Sequence, residues 1–292
     1  MSKFITRLIK FLAISCIGIL ILSIITSITT NYIFDYTIEN SKNILILGNS
    51  HPECALNDSI ITNAKNLAQS GASYFYDYVK LKTVIEKNPQ IDTLIIGYAY
   101  DDLMKEMDTW TTSKEKINTQ IKYYFFLLDF EDYWNLFKAN PIATLTSTPQ
   151  TIFHNIQMIT KGYKFLGGYK ALKDDKLKEA TNRMTPLEQN KEHHSSKYQT
   201  LYLQKIYDFC EMNNIEMILL ATPVHPKLYK NNIPLKKGYE EFKEKKLPNA
   251  TLIDHSAFKI PDSGFRDLSH LHYSGAIRYS LEIKNVLKNN GK

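Results

Sequence analysis

The chain has 292 residues, of which 43% are hydrophobic and 23% are charged, a composition that excludes an intrinsically disordered protein. The net charge of +6 is spread along the chain, so it does not indicate a nucleic-acid partner. The three cysteines imply no disulfide framework and no zinc site, and we expect neither a metal ion nor another cofactor.

The first predicted element is a membrane segment at residues 1–33. Lys3, Arg7 and Lys10 precede the uncharged, apolar run 11–29, which has roughly the length needed to cross a bilayer. Cations on its amino side predict a cytoplasmic N-terminus and a chain that continues on the outer side, in the periplasm or at the cell surface. A cleaved signal peptide is the alternative. Because no Ala-x-Ala site follows the apolar run, the sequence favours an uncleaved single-pass anchor.

Residues 34–292 are predicted to form one α/β domain, because short apolar runs alternate with segments of helical spacing. The apolar runs predict strands at residues 44–47, 65–68, 93–97, 217–221 and 250–253. Strands that alternate with helices indicate a three-layer fold, in which a mainly parallel sheet is flanked by helices. In such a sheet, ligands bind beyond the carboxyl ends of the strands.

The alternation stops between residues 107 and 197, which predicts an inserted, mainly helical cap rich in Trp, Tyr and Phe. Aromatic side chains at this density most simply form the core of the cap. The alternative is that some of them line a carbohydrate groove or lie against the membrane. The turn at 167–169, Lys191 and the pair His193 and His194 are predicted to lie in loops that return from the cap.

Two blocks of residues predict a catalytic triad. In residues 48–51 a glycine, Asn49, Ser50 and His51 follow the first strand, and near the other end of the chain Asp267 precedes His270 by three residues. The serine would be the nucleophile, the imidazole its base, and the carboxylate would orient that imidazole. Each block also has a simpler interpretation.

Taken alone, Ser50 could be only a helix N-cap, Asp267 could be a cap, and His270 could be a core histidine. The presence of both blocks, in this order and with strands between them, favours the triad. Cys54 is a weaker rival nucleophile, since a buried thiol is the simpler interpretation.

These blocks resemble those of the SGNH or GDSL-like hydrolases, and within that family the membrane-anchored relatives that modify bacterial cell-surface polysaccharides. Residues 48–51 are similar to the Gly-Asp-Ser block, with Asn49 in place of the aspartate and Ser50 at the nucleophile position. Residues 66–72 resemble the block whose glycine amide helps to form the oxyanion hole. The resemblance therefore implies that the amides of Ser50 and Gly71 receive the oxyanion.

The third block, residues 93–102, resembles a strand followed by Gly-x-Asn-Asp, but the asparagine is missing. Tyr100 or Asp102 could lie near that place, although an ionised carboxylate would repel an oxyanion.

Four further residues are candidates for substrate contact besides Asp102. His51 and His272 flank the proposed nucleophile and base, while Thr222 and His225 follow the predicted strand 217–221. The alternative for the last two is that the neighbouring prolines force an extended exit from the strand and that His225 caps it.

The function expected from these features is acyl transfer through an acyl-serine intermediate. If water accepts the acyl group, the protein is an esterase; if a sugar hydroxyl does, it is an O-acyltransferase. The resemblance implies an acetyl group on a cell-surface polysaccharide. The alternative, prompted by Asn49 and the missing asparagine, is a non-catalytic glycan-binding or assembly partner of a membrane acyltransferase. A structural anchor without a ligand is a third hypothesis.

Overall fold

The computed structural model describes residues 2–162, 166–185, 195–289 and 291, and the predicted loop residues Lys191, His193 and His194 lie outside these ranges. In the described part of the chain, five strands form one sheet: β1 (Ile44–Leu47), β2 (Ala64–Asn66), β3 (Thr93–Gly97), β4 (Glu216–Ala221) and β5 (Thr251–Asp254). The α-helices are α1 (Ser2–Ile33), α2 (Ser50–Ala55), α3 (Tyr74–Lys87), α4 (Thr109–Thr112), α5 (Lys114–Tyr124), α6 (Phe130–Ala139), α7 (Pro141–Ser147), α8 (Gln150–Lys161), α9 (Leu177–Arg183), α10 (Lys197–Met212), α11 (Pro226–Asn232), α12 (Lys236–Lys246) and α13 (Tyr273–Asn289).

The strands run parallel in the order β2-β1-β3-β4-β5. This is the flavodoxin-like order of a doubly wound sheet, which places a ligand crevice where the strand order reverses, beside β1. The central strands are in register, with Ile46 opposite Ile95 and Ile95 opposite Ile218. Because helices cover both faces, β1 and β3 are buried along their whole length.

Alternate residues of each strand point to opposite faces of the sheet. On one face Ile46 and Ile218 pack in a single apolar core with Tyr279 and Ile283 of α13, and Ala55 of α2 joins them. On the other face α3 packs against α10, and α10 contacts β4. The prediction of a three-layer α/β fold with a mainly parallel sheet is therefore confirmed.

The described chain divides into two compact units. The sheet unit contains residues 37–110 and 166–292, and the helical unit contains residues 1–36 and 111–165. The sheet unit carries all the candidate site residues predicted from the sequence. The helical unit consists of α1 together with α5 to α8. The predicted bounds of the anchor and of the cap, at 1–33 and 107–197, stay predictions.

In the described residues, α1 is the one helix that is long and apolar enough to cross a membrane. Over Lys3–Ile33 its mean hydropathy reaches 2.7, which is consistent with a membrane anchor or a signal sequence. Its polar side chains Thr26, Ser27 and Thr30 are buried within the helical unit. Asn155 of α8 donates to Thr26 Oγ1 over 3.3 Å and to Ser27 Oγ over 2.9 Å. Polar contacts of this kind join helices within a membrane.

The aromatic side chains of the helical unit divide between its core and its surface. Tyr124 and Phe126 are buried, whereas Phe130 and Trp134 are exposed. The simpler interpretation of this stretch, as core, therefore holds for only part of it.

Candidate active site

The site begins at a tight turn where β1 ends. Gly48 has a φ of +126°, and a Cβ added there would lie 2.8 Å from Pro52 Cγ and 3.0 Å from the backbone nitrogen of Gly97. Only glycine fits this conformation and this close approach. The amide of Gly48 donates to Asp77 Oδ1 over 3.2 Å. The turn thus places Ser50 at the first position of α2, beyond the carboxyl end of β1.

His270 lies within hydrogen-bond reach of both Ser50 and Asp267. His270 Nδ1 lies 2.9 Å from Asp267 Oδ1 and 3.1 Å from Oδ2, and His270 Nε2 lies 2.8 Å from Ser50 Oγ. A carboxylate beside Nδ1 places the imidazole proton on that nitrogen, so that Nε2 is free to accept the serine proton. The side chains of both His270 and Asp267 are largely withdrawn from solvent.

The loop that carries these two residues is held by its own backbone. The amides of Ser269 and His270 both donate to Asp267 Oδ1 over 2.9 Å. Arg266 Nη1 donates to Asp267 Oδ2 over 2.7 Å. Although partial burial opposes ionisation, the hydrogen bonds from His270, Ser269 and Arg266 hold the pKa of Asp267 below its usual range. Asp267 is therefore ionised whenever His270 could act as a base.

Arg266 is a site residue that the sequence reasoning missed. Its guanidinium also binds the carboxylate of Asp174 through two parallel hydrogen bonds of 3.0 Å. A fork of this type fixes the direction of the arginine as well as its charge. Arg266 thus joins Asp267 to a residue 93 positions away in the chain. No spacing rule in the sequence links Asp174 to the Asp267 block.

Asp174 belongs to an irregular stretch, residues 168–176, which we call the strap. Its backbone lies across both halves of the site. The amide of Lys170 donates to the carbonyl of Glu53 over 2.9 Å, and the amide of Lys176 donates to the carbonyl of Arg266 over 2.7 Å. The carbonyl of Leu172 accepts from Tyr273 over 2.8 Å. The strap therefore connects α2, which carries Ser50, with the loop of His270.

Asn49 and Asp102 form a hydrogen-bonded pair next to the start of α2. Asn49 Oδ1 accepts from the amide of His51, which caps α2, and its Nδ2 donates to Asp102 Oδ1, with both distances 3.0 Å. Asp102 Oδ2 accepts from the amide of Ala99 over 2.7 Å. Burial and the neighbouring Asp101 raise the pKa of Asp102 well above its usual range. Asp102 is buried.

Gly71 and Tyr100, the other candidates for the oxyanion hole, lie in different surroundings. Gly71 lies in the turn after β2 with a φ of +77°, and two residues earlier the amide of Gln69 donates to the carbonyl of Gly48 over 2.9 Å. This bond ties the Gly71 turn to the turn that precedes Ser50. The hydroxyl of Tyr100 instead donates to Asp254 Oδ2, at the end of β5, over 2.6 Å.

The two histidines next to the proposed nucleophile and base, His51 and His272, lie in different surroundings. The ring of His51 lies 5.5 Å from that of His270, and burial, together with the nearby His270, lowers the pKa of His51 to about 3. His51 is therefore neutral at physiological pH and adds no charge beside His270. His272 lies on the surface, where Nδ1 is 2.9 Å from Ser274 Oγ and Nε2 is 3.3 Å from the carbonyl of Lys173 in the strap.

Thr222 and His225 are both buried beyond β4. His225 Nδ1 accepts from the amide of Lys227 over 3.3 Å, so it caps α11, as the simpler interpretation expected. Its own amide donates to the carbonyl of Leu268 over 2.9 Å, and its ring packs edge-on against Phe265. His225 thereby supports the loop that carries Asp267 and His270.

Cys54 is buried one turn into α2, and burial raises the pKa of its thiol to about 12. The thiol is therefore protonated at physiological pH, which disfavours it as a nucleophile. Within the described ranges, no cluster of His, Cys, Asp or Glu side chains has the arrangement to hold a metal ion.

The fold was also compared with solved structures and the sequence with known proteins. The fold is similar to that of a GDSL-like lipase from Bacteroides thetaiotaomicron, with 10% sequence identity and a TM-score of 0.38, over 89% of this chain and 95% of the lipase. A protein-family model matches residues 155–291, which is less than half of the chain. No curated protein matches the sequence.

Proposed function

We propose that this protein is a serine-dependent enzyme that cleaves or transfers acyl esters, with Ser50 as nucleophile, His270 as general base and Asp267 as its orienting carboxylate. The observation that supports this most directly is the chain of hydrogen bonds from Ser50 Oγ through the imidazole to Asp267, with distances of 2.8 and 2.9 Å. These distances lie in the range required for proton transfer.

In the first half of the proposed reaction, Ser50 Oγ attacks the ester carbonyl while its proton passes to His270 Nε2. The C–O bond to the leaving alcohol then breaks, and His270 returns the proton to that alcohol, leaving an acyl-serine. Asp267 stabilises the imidazolium in between. The amides of Ser50 and Gly71 are proposed to receive the oxyanion.

In the second half, His270 takes a proton from the acceptor, whose oxygen attacks the acyl carbonyl. The bond from that carbonyl to Ser50 Oγ then breaks, and His270 returns the proton to Ser50. Water as acceptor makes the protein an esterase, and a sugar hydroxyl makes it an O-acyltransferase. We propose acetyl transfer on or off a cell-surface polysaccharide, with α1 as an uncleaved anchor that holds the sheet unit outside the cytoplasm. Support comes from the resemblance of the motifs, from the cations before α1 and from its polar contacts with α8.

The first test is labelling of the full-length protein in detergent with a fluorophosphonate, which reacts with activated serines. We expect labelling of the wild type and none of Ser50→Ala or His270→Ala. Ser59→Ala, a change at an exposed serine of the same unit, is the matched control and should label like the wild type. Absence of labelling in a folded wild type would contradict the proposal.

A second candidate function is a non-catalytic glycan-binding or assembly partner of a membrane acyltransferase. One observation favours it: the chain has no asparagine in the loop after β3, where the family pattern has an asparagine donor, and the candidate Asp102 in that loop is a buried acid. A folded protein that fails to label but binds an acylated polysaccharide would support this second function. Incubation with 4-nitrophenyl acetate separates the two directly, since only the enzyme should accumulate an acetyl group on Ser50, detectable as a mass increase.

A further inference from the structure

The helical unit contains an apolar groove of about 590 Å³ that the proposed chemistry does not use. One wall is formed by Leu20, Ile24 and Ile28 of α1. The opposite wall includes Trp134 of α6 and Leu145 of α7. The volume falls within the range of sites that bind small molecules.

The wall on α6 is a row of flat side chains. Phe130, Trp134 and Phe137 follow at helical spacing, and their rings are nearly parallel, with interplanar angles of 6° and 14° between neighbours. Phe130 is 81% exposed and Trp134 is 45% exposed. Exposed aromatic faces of this size are costly in water, so the groove requires an apolar neighbour.

The position of α1 decides what that neighbour is. If α1 spans the bilayer, Leu20, Ile24 and Ile28 lie in hydrocarbon, because they belong to its apolar segment. The polar contacts of Asn155 with Thr26 and Ser27 hold α8 at the same depth. With that placement, the part of the groove lined by Leu20, Ile24 and Ile28 opens to lipid rather than to water.

The groove also changes character along its length. Its apolar end lies at Leu20 and Ile24, and its polar end includes Ser27, Asn31 and Asp129. From Leu20 to Asn31 the helix rises roughly 16 Å, at 1.5 Å per residue. An apolar trough with polar groups at its outer end matches an amphiphile whose chain points into the bilayer and whose head lies at the interface.

We propose that this groove binds one hydrocarbon chain of a membrane lipid, with the aromatic row of α6 along the chain and the polar end at the headgroup. The inference rests on α1 being retained in the membrane and is independent of the chemistry at Ser50. The groove selects for a hydrocarbon chain and not for a particular headgroup. The carboxylate of Asp129 at its polar end nevertheless disfavours an anionic headgroup.

The test uses the full-length protein in nanodiscs of dioleoylphosphatidylglycerol that contain a phosphatidylcholine with a diazirine midway along one acyl chain. After irradiation, mass spectrometry locates the adducts. We expect them to concentrate on the α6 peptide and on the outer half of α1, and to fall at least fivefold in Leu145→Trp, which fills the groove. Ile28→Trp is a second groove-filling variant from the opposite wall.

Ile142→Trp is the matched control, because Ile142 lies on the same short helix and is 73% exposed, but does not line the groove. It should change the adduct yield on α6 by less than twofold. Adducts spread evenly around α1, or equal on α6 in all four proteins, would overturn the proposal. Fluorophosphonate labelling of the same samples reports separately on Ser50, so a failure of one proposal is distinguishable from a failure of the other.

Discussion

Asn49 Nδ2 donates a hydrogen bond of 3.0 Å to Asp102 Oδ1, and this buried contact joins the turn that precedes Ser50 to the loop that follows β3. The amide and the carboxylate are exchanged relative to a pair with aspartate at 49 and asparagine at 102. Either arrangement gives one donor facing one acceptor. Exchanging both side chains should therefore preserve this contact.

This relationship predicts the outcome of a double-mutant cycle. Asn49→Asp sets two carboxylates against each other, and Asp102→Asn leaves one buried donor without an acceptor, so each should lower the free energy of unfolding by about 1–3 kcal/mol. In the double variant the asparagine at 102 can donate to the aspartate at 49, so most of the lost free energy of unfolding should be recovered. Urea unfolding followed by circular dichroism in detergent measures this. Additive losses in the double variant would show that the pair is not coupled.

The Asn49→Asp variant should also be sensitive to pH. Burial already raises the pKa of Asp102, and a second carboxylate would raise it further. A carboxyl whose folded-state pKa is raised loses stability as pH increases from its unfolded value towards the folded one. The variant should therefore be closer to the wild type at pH 5 than at pH 8. Equal losses at both pH values would contradict this explanation.

The sheet could be predicted from the sequence because its signal is local. The predicted strands 44–47 and 93–97 coincide with β1 and β3, and 217–221 differs from β4 by one residue, since buried parallel strands are continuous apolar runs. The proximity of Ser50 to His270 followed from motif order together with the rule that site residues gather at strand ends. Their catalytic roles stay a prediction.

Other parts of the site could not be predicted because their contacts are distant in sequence and leave no pattern. Asp174 meets Arg266 across 92 positions, and the strap is held largely by backbone hydrogen bonds, which any residue type can make. The pairing of Asn49 with Asp102 needed the positions of two separate turns. Likewise, the hydrogen bond from Asn155 to Thr26 of α1 can be recognised only once the two helices are packed together.

Asp267→Asn should lower the rate of fluorophosphonate labelling by about 10⁴-fold if the triad operates as proposed, since an amide favours the wrong imidazole tautomer. The fold should change little, because asparagine is nearly the same size. Labelling kinetics at pH 8, with the unfolding midpoint as control, measure this. A loss below tenfold would show that Asp267 does not orient the base.

Arg266 is predicted to be a positioning residue that acts through Asp267. Its hydrogen bond helps to lower the pKa of Asp267, so Arg266→Gln should raise that pKa. A carboxyl with a lowered folded-state pKa contributes stability above its unfolded value and loses it as pH falls. The variant should therefore show a smaller difference in unfolding free energy between pH 7 and pH 3 than the wild type.

Lys176→Gln is the matched control for Arg266→Gln. Lys176 also faces Asp174, over 3.6 Å, but it is half exposed and belongs to the strap rather than to the Asp267 loop. It should leave both the labelling rate and the acid dependence of stability unchanged. If the two variants behave alike, the effect of Arg266 is that of a general surface charge and not of its contact with Asp267.

Gly48→Ala tests the turn that presents Ser50. At a φ of +126°, with Pro52 Cγ only 2.8 Å from the added Cβ, the methyl group must displace backbone or proline. We expect a loss of about 2–4 kcal/mol in the free energy of unfolding, from backbone strain and overpacking together. Labelling of Ser50 should fall as well, because α2 would shift.

Gly238→Ala is the control: a Cβ at this position in α12 meets nothing within 4 Å. That change should raise stability by up to about 1 kcal/mol.

Asn155→Leu tests whether α1 is held against α8 by polar contacts, as an uncleaved anchor requires. The side chain donates to Thr26 and Ser27, and hydrogen bonds between helices in membranes contribute about 0.6–1.7 kcal/mol each. We expect Asn155→Leu to lower the unfolding temperature of the full-length protein in detergent, because both hydrogen bonds between α1 and α8 are lost. Gln157→Leu, the same change at a partly exposed position of α8, should leave the unfolding temperature unchanged. An N-terminus that Edman sequencing finds beyond residue 29 would contradict a retained anchor altogether.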